Sequence, residues 1–411
     1  MKDRHILLAN VFFAPFSYGG ATIVAEQLAQ ALIQQTGCRI SAISAIQRGD
    51  LAPYTMIKTE TNGIANYVIN LPQGRQYAEI YNNPRVTEII GALMDQLAPD
   101  LLHLHCIQDL GAGLIELAHL RGLPIILSVH DFWWICDRQF MIKPDQSYCG
   151  QNPVQITACR SCVDNYSAAR ARHDLLLHQV GMVDLVTYPS QFARTLCESS
   201  GLAPGRGHVL ENGVTLPGPD FFARQACRRA EDGRLVFGFI GGPSQIKGWP
   251  LIKRAFSTLE RDDFVVQVVD GSLDGSWWKG VDLSKLPGEW QVVPRFEQSA
   301  MDGFYAGIDV LLFMSQWKET FGLAIREALA RGVQIIQTDS GGTVEHGATD
   351  AADLIPIGAS AEVLRNQILA MLHKGAVALP PHPVASYDDQ ARHFAALAMP
   401  LLAASPTKAQ T

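Results

Sequence analysis

The sequence predicts an α/β fold made of two doubly wound domains with parallel sheets. Short apolar runs alternate with amphipathic helical stretches for nearly the whole length, an order that is typical of parallel strands flanked by helices. The 411 residues suffice for two or three domains at about 150 residues each. Hydrophobic residues make up 47% of the chain and charged residues 18%, which excludes disorder as its main state.

Ten strands and two of the helices can be assigned from these runs. A helix is predicted from about Ala21 to Gln35, because apolar residues recur on one of its faces and Gly37 follows it. A last helix is predicted from about Asp388 to Leu402. The predicted strands are His5–Ala9, Arg39–Ile43, Leu101–His105, Ile125–Val129 and Leu185–Tyr188 in the first half, and Leu235–Ile240, Val265–Val269, Gln291–Val293, Asp309–Phe313 and Gln334–Thr338 in the second.

The boundary between the two domains is predicted in the segment Leu210–Val214. Its Asn212–Gly213 pair breaks both helix and strand, and a proline-bearing stretch follows. We therefore place the first domain at residues 1–210 and the second at residues 211–385.

The charge balance limits the partners. The net charge is −7 and the pI is about 5.9. A protein that neutralises the phosphates of a polynucleotide is normally basic, so we expect no nucleic-acid partner. The same balance argues against a strong polybasic anchor and leaves at most peripheral contact with a membrane. No apolar run approaches the ~20 residues that span a bilayer.

The first apolar run resembles a signal peptide only in part. Lys2 and Arg4 precede it, but Asp3 and Asn10 interrupt the pattern, and a glycine pair follows soon after. A first β-strand followed by a glycine loop fits these residues better, which favours a cytoplasmic protein.

Three loops at predicted strand ends carry candidate binding residues. Gly19 and Gly20 precede a helix whose N-terminus favours an anion, although a plain turn would look the same. His130 and Asp131 end a buried strand, where open α/β sheets bind ligands, or the histidine merely caps a loop. Lys247 lies in a glycine-rich loop, where it neutralises a phosphate or is simply solvated.

The loop after the strand Asp309–Phe313 carries two glutamates at an informative spacing. Glu319 lies in the loop, and Glu327 lies about two turns into a helix predicted to begin near Phe321. Two carboxylates at this spacing can bind hydroxyl groups at the two ends of an elongated ligand. The commoner explanation of such a pair is that one glutamate caps the helix and the other lies on its surface. The N–H groups at the helix start, which can bind an anion or a hydroxyl, are those of Thr320, Phe321 and Gly322.

Glu319 and Glu327, with Phe321–Gly322 between them, resemble the E-x7-E signature of retaining glycosyltransferases of the GT-B fold, family 4. Other segments agree with that family in the same order, over residues 5–375. They are the pair Gly19–Gly20, the strand end Ser128–Asp131, Pro189–Ser190 after a strand, the interdomain Leu210–Val214, Lys247–Gly248, and the glycine loop Asp339–Gly342 with Glu345.

The resemblance implies two Rossmann-like domains that face each other across a cleft, with a C-terminal helix (386–405) packed back onto the first. The second domain would hold a nucleotide-diphospho-sugar donor and the first the acceptor. Glu327 would bind the donor ribose, and Glu319 with the N–H groups of residues 320–322 would hold the donor sugar. Lys247 would stabilise the leaving diphosphate, with Gly19–Gly20 nearby, and His130 would contact the sugar near the reacting carbon.

The same resemblance implies transfer with retention of the anomeric configuration, by front-face attack without a protein nucleophile. No catalytic cofactor or metal is expected, because a lysine and preorganised N–H dipoles can stabilise the leaving group. One departure stands out. The family usually has an arginine five residues before the lysine, where this chain has Gly242. Lysine does not replace the bidentate geometry of arginine, and Arg295, at a later strand end, is the candidate substitute.

Four of the eight cysteines, Cys136, Cys149, Cys159 and Cys162, fall within 27 residues. In a cytosolic chain such a cluster favours a metal over disulfides, so a structural zinc site is possible, with thiols that bind nothing as the alternative. Only one Cys-x-x-Cys is present, which makes the zinc signal incomplete.

The sequence thus predicts a cytoplasmic retaining glycosyltransferase, with possible peripheral contact at the inner membrane face. Its acceptor would be a saccharide, a lipid-linked saccharide or a small molecule, in the synthesis of a surface polysaccharide, glycolipid or glycoside. Two alternatives remain open: a GT-B epimerase that eliminates and re-adds the nucleotide, and a degenerate, non-catalytic GT-B scaffold.

Overall fold

The computed structural model describes residues 1–404, which form two compact units. The first unit contains Met1–Met141, Gly150–Gly213 and the described residues from Ala385 onward. The second contains Ile142–Cys149 and Val214–Val384. Residue 405, the last of the predicted C-terminal helix, lies outside the described residues.

The first unit is built on a sheet of eight strands, in the order β3-β4-β2-β1-β5-β6-β7-β8. Every neighbouring pair is parallel except β3–β4, which is an antiparallel hairpin. The strands and helices are β1 (His5–Ala9), α1 (Gly20–Thr36), β2 (Arg39–Ile46), β3 (Met56–Thr61), β4 (Ile64–Asn70), α2 (Tyr77–Tyr81), α3 (Pro84–Leu97), β5 (Leu101–Leu104), α4 (Gly113–Leu120), β6 (Ile125–Ser128), α5 (Tyr166–Val180), β7 (Leu185–Tyr188), α6 (Gln191–Ser199) and β8 (Gly207–Val209).

The second unit is built on a fully parallel sheet of five strands, in the order β11-β10-β9-β12-β13. Two buried apolar clusters pack against it, and they share the strand residues between them in alternation. Its elements are α7 (Phe221–Glu231), β9 (Leu235–Ile240), α8 (Trp249–Ser257), β10 (Phe264–Asp270), β11 (Glu289–Pro294), α9 (Met301–Gly307), β12 (Val310–Phe313), α10 (Leu323–Leu329), β13 (Gln334–Gln337) and α11 (Ala361–Lys374).

The predicted α/β class with two parallel sheets is confirmed, and all ten predicted strands are present. Three further strands, β3, β4 and β8, are not predicted from the sequence. The first predicted helix extends one residue beyond each of its predicted ends.

Helix α12 (Tyr387–Ala404) completes the core of the first unit, where it packs along α1. The aromatic ring of Phe394 lies with its centroid 4.5 Å from that of the buried His103. The spacing of three or four residues puts all its core side chains on one face. These side chains are Tyr387, Ala391, Phe394, Ala398 and Leu402.

Gly213, the last residue of the first unit before the chain enters the second, is fixed by α12. Its N–H donates to the Gln390 side chain over 2.9 Å. A Cβ at this position would lie 2.4 Å from the backbone nitrogen of Tyr387, so only glycine fits. Within residues 1–404, no helix combines the length and the apolar character needed to cross a bilayer.

Candidate functional site

In the second unit, the predicted lysine and the first predicted glutamate meet at the carboxyl edge of the sheet. Lys247 follows β9 and Glu319 follows β12, and these two strands are neighbours. The Lys247 ammonium donates a hydrogen bond to the Glu319 carboxylate, with 2.8 Å between Nζ and Oε1. The Ser315 hydroxyl donates to the same carboxylate oxygen. The Lys247 side chain is 32% exposed, so a ligand can reach this ion pair.

Two contacts, one of which requires glycine, hold the Lys247 loop against the loop after β12. Gly248 has a φ of +81°, and a Cβ there would lie 2.1 Å from the carbonyl oxygen of Met314, in the loop after β12. The N–H of Gln316 donates to the carbonyl of Ile246 over 2.7 Å. The two loops therefore lie directly against each other, and this close approach brings Lys247 to Glu319.

Glu327, the second predicted glutamate, lies on α10 and is 8% exposed. The Tyr305 hydroxyl on α9 donates to its carboxylate over 2.8 Å. Burial raises the pKa of the Glu327 carboxyl, and the Tyr305 hydrogen bond and the charge of Arg331 oppose that rise. The carboxylate is thus held in one orientation in a weakly solvated place, as suits a fixed acceptor for ligand hydroxyls.

Arg326, which lies between the two glutamates in the sequence, connects the Glu319 loop to the glycine loop after β13 and is 1% exposed. Its guanidinium donates to the carbonyls of Phe321, Thr343 and Gly342 over 2.7, 2.6 and 3.0 Å. The backbone of Glu319 adds two hydrogen bonds to the same glycine loop, one to Ser340 and one from Gly342. The loop that carries Glu319 and the glycine loop after β13 thus form one rigid framework.

The predicted start of the helix after Glu319 is wrong by two residues. Helix α10 begins at Leu323, because Gly322 has a φ of +88° and interrupts the helical backbone. The N–H groups of Thr320, Phe321 and Gly322 therefore lie in the loop before the helix. Thr320 and Phe321 are themselves largely buried.

The missing arginine at position 242 has a physical cause in this structure. Gly242 has a φ of +65°, and a Cβ there would lie 2.6 Å from the indole ring of Trp277. No arginine fits this backbone while the indole occupies that place. Arg295 follows the edge strand β11, is exposed, and has no ion-pair partner within the described chain. Because β10 separates β11 from β9, Arg295 is not brought into contact with Lys247, and its role stays a prediction.

In the first unit, Gly19 and Gly20 lie at the start of α1. Gly19 is the N-cap residue with a φ of +84°, and a Cβ built on it would have no neighbour within 4 Å. The loop therefore needs glycine for its backbone conformation and leaves open space in front of the helix N-terminus.

His130 follows β6 and is half-buried, next to the imidazole of His105, with 2.8 Å between His130 Nε2 and His105 Nδ1. Burial lowers the pKa of His130 to about 4, so its ring is neutral at physiological pH. The neighbouring Asp131 carboxylate accepts hydrogen bonds from the Trp133 N–H and from the side chains of Gln108 and Gln139. Asp131 therefore fixes the loop after β6, a structural role.

Two family models match the chain, Glycosyltransferase Family 4 over residues 18–216 and Glycosyl transferases group 1 over residues 224–379. The chain is a family-4-like glycosyltransferase of the GT-B fold.

Sequence and structure comparisons relate this glycosyltransferase to a named relative and to several solved structures. The D-inositol 3-phosphate glycosyltransferase of Pseudarthrobacter chlorophenolicus is 24% identical over 271 residues, which cover 61% of this chain and 57% of that relative. The match thus spans little more than half of the relative's length.

Two solved structures share the fold over nearly their whole length. The sucrose-phosphate synthase of Thermosynechococcus elongatus is 17% identical with a TM-score of 0.71, covering 98% of this chain and 100% of that chain. The HepE protein of Anabaena, in complex with UDP and glucose, is 15% identical with a TM-score of 0.66, covering 96% and 99%. At these identities the similarity establishes the fold.

Several residues that shape the sites of this glycosyltransferase were missed by sequence reasoning. Tyr305 and Trp277 reach their partners through tertiary contacts that leave no local pattern. Ser315 lies only four residues before Glu319, in the same loop. His105 had a usable signal, because a polar residue that ends a buried strand in an open α/β sheet lies at the ligand-binding edge.

The clustered cysteines of the glycosyltransferase lie between β6 and α5. All four are half-buried, and Cys149 is in the stretch grouped with the second unit. In residues 1–404, no three His, Cys, Asp or Glu side chains form a group arranged to hold a metal ion. Zinc at Cys136, Cys149, Cys159 and Cys162 stays a prediction, which metal analysis of protein purified without chelators tests directly.

Proposed function

We propose that this protein is a cytoplasmic, retaining, metal-independent glycosyltransferase that uses a nucleotide-diphospho-sugar. The observation that carries the proposal is the reachable Lys247–Glu319 ion pair at the carboxyl edge of the second sheet. Open α/β sheets bind ligands at this edge. HepE, which shares the fold, was solved with UDP and glucose, and this supports a nucleotide-sugar donor here. The acceptor is a saccharide, a lipid-linked saccharide or a small molecule.

The ion pair suggests how the donor enters. In this structure Glu319 neutralises Lys247, so an incoming diphosphate competes with the carboxylate for the ammonium. When Lys247 turns to the diphosphate, the Glu319 carboxylate is released to accept hydrogen bonds from sugar hydroxyls. Lys247 then stabilises the negative charge that develops on the leaving diphosphate. Glu327, held by Tyr305, accepts the hydroxyls of the ribose.

A panel of uridine, guanosine and adenosine diphospho-sugars tests the proposal. Slow hydrolysis of one donor to the nucleoside diphosphate and free sugar supports a transferase, and the anomer first released, read by NMR, tests retention. Isomerisation of the intact nucleotide-sugar would show an epimerase instead. Failure to bind any donor would indicate a non-catalytic scaffold. Either result, isomerisation or lack of binding, would overturn the proposal.

Lys247→Ala tests the proposed role of the Lys247 ammonium, which is to stabilise the negative charge on the leaving diphosphate. We expect kcat for donor hydrolysis to fall on the order of 100- to 1000-fold, as when one charge-stabilising group is removed from a reaction centre. Lys253→Ala, an exposed lysine on α8, is the control and should change kcat little. Equal effects of the two substitutions would contradict the role of Lys247.

A further inference from the structure

A row of buried hydroxyls connects the glycine loop after β13 to the loop after β12 in the second unit. The row begins at Thr343, passes through Ser340 and ends at Thr338, directly after β13, and all three residues are fully buried. The hydroxyl oxygens of Thr343 and Ser340 are 3.2 Å apart, and those of Ser340 and Thr338 are 3.0 Å apart. Thr338 Oγ1 in turn lies 2.7 Å from the carbonyl oxygen of Ser315, in the loop after β12.

The Ser315 carbonyl fixes the direction of these hydrogen bonds. A carbonyl only accepts and a threonine hydroxyl has one proton, so Thr338 donates to Ser315 and is an acceptor toward Ser340. The Phe313 carbonyl is a poorer acceptor for Thr338, because it lies 3.4 Å away and already accepts the Thr338 N–H. Among residues 1–404, no second donor reaches the Ser315 carbonyl. This carbonyl, on a residue that is 1% exposed, therefore depends on the Thr338 hydroxyl.

Ser315 in turn orients the Glu319 carboxylate. The Ser315 hydroxyl donates to Glu319 Oε1, the same oxygen that accepts from Lys247. Oε2 makes no hydrogen bond to residues 1–404, so it is the oxygen left for a ligand. When Lys247 turns to a diphosphate, Ser315 remains as the donor that holds Oε1. The orientation of Oε2 then depends on where the backbone places the Ser315 side chain.

We propose that Thr338 is a positioning residue of the donor site. Its hydroxyl holds the Ser315 carbonyl, and Ser315 holds the Glu319 carboxylate so that Oε2 accepts from a hydroxyl of the donor sugar. Thr338 is itself 0% exposed, so it acts through Ser315 and not by contact with the donor. The effect on the sugar rests on the proposed function, whereas the row of hydroxyls does not.

Two substitutions of Thr338 test this role. Thr338→Val removes the hydroxyl but keeps the branched shape, and should lower kcat for donor hydrolysis by about 10- to 100-fold, as misplacement of a contacting group does. Thr338→Ser keeps the hydroxyl and should recover most of the loss. Thr187→Val is the control for a lost buried hydroxyl, because Thr187 is 2% exposed and bonds Ser128 in the first unit.

The kinetic result also separates this proposal from the proposed function. An unchanged kcat for Thr338→Val, in protein whose Lys247→Ala variant is impaired, would overturn the positioning role and leave the proposed function standing. Absence of donor hydrolysis in the unaltered protein would overturn both.

Binding of nucleotides without a sugar distinguishes positioning from a general disturbance of the site. UDP, GDP and ADP carry the diphosphate but nothing for Glu319 to hold. Their dissociation constants, measured by titration calorimetry, should therefore be the same for Thr338→Val and the unaltered protein. A loss of affinity as large as the loss of kcat would show that the substitution disturbs the whole site, and would overturn the proposal.

Ser315→Ala tests the connection between Thr338 and Glu319. It removes the hydroxyl that holds Glu319 Oε1, so kcat should already be low in this variant. Adding Thr338→Val should then change kcat by less than about threefold, because both substitutions break the same connection. If the two losses multiply instead, Thr338 acts by another route and the proposal is overturned.

Discussion

The Glu327 side chain lies against Tyr305 with its carboxylate almost fully buried. The raised pKa means that ionisation of this group costs the folded state more than the unfolded one. Its contribution to stability is therefore greatest at acid pH and is lost as the pH rises through the folded pKa. Because its ionisation lowers the stability of the folded state, Glu327 is a candidate for a functional role and not for a role in folding.

Glu327→Gln should separate the effect of Glu327 on stability from its effect on donor binding. The amide is neutral at every pH and still accepts from Tyr305, so we expect Tm at pH 7 to stay the same or rise. Donor affinity should fall by about 10- to 100-fold, the loss of hydrogen bonds to a charged acceptor. Thermal denaturation and donor titration measure the two. The exposed Glu362→Gln is the control, and a large drop in Tm for Glu327→Gln would contradict the reasoning.

Gly242→Arg tests whether the usual arginine can be restored. The positive φ costs a side chain about 1–2 kcal/mol, and the overlap with Trp277 adds about 1–3 kcal/mol. We expect urea denaturation to show a loss of about 2–5 kcal/mol and no gain in donor affinity. Gly347→Arg, with a φ of +69° and open space around it, should show the strain alone. Tighter donor binding by Gly242→Arg would refute this explanation.

At the scale of elements, the strands that the sequence predicts are those with continuous apolar runs. Hairpin β3–β4 was missed because β3 alternates between exposed and half-buried residues and has no such run. The Asn62–Gly63 pair at its turn, with φ of +51° and +75°, was the available signal. The same limit applies to the candidate site. The strand ends in the sequence account for the positions of Lys247 and Glu319 at the carboxyl edge of the sheet. Only the tertiary packing of α9 on α10 brings Tyr305 to the second glutamate.

Helix α12 should prove essential to the first unit. Phe394 is fully buried in the core beneath α1, so Phe394→Ala should lower the free energy of unfolding by about 3–5 kcal/mol. Met399→Ala changes the same helix at a residue that is 46% exposed, and should cost little. Chemical denaturation followed by circular dichroism compares the two variants. A loss for Phe394→Ala as small as that for Met399→Ala would contradict the expected contribution of α12 to stability.

At the scale of the whole molecule, buried histidines predict sensitivity to acid. Burial lowers the pKa of His103 to about 3 and of His130 to about 4, so below pH 6.5 the unfolded chain takes up protons that the folded one does not. These histidines therefore do not reduce the free energy of unfolding above pH 6.5. Below pH 6.5 each of them lowers it by about 1.4 kcal/mol per pH unit as the pH drops.

Tm measured from pH 8 to pH 5 checks this. His103→Gln keeps a side-chain nitrogen near the Ser128 hydroxyl but removes one titrating ring, so its Tm should fall less steeply below pH 6.5. The exposed His393→Gln should follow the unaltered protein. Parallel curves for all three proteins would show that His103 is not responsible.

The tie between Gly213 and α12 has a consequence for biosynthesis. About 180 residues separate β8 from α12 along the chain, and at ~5–20 residues per second the ribosome needs roughly 9 to 36 s to make them. During that time the nascent chain already displays all eight strands of the first sheet but lacks the core side chains of α12. The second unit is then free to complete its own core, so the half of the molecule that is translated first is the last to finish folding.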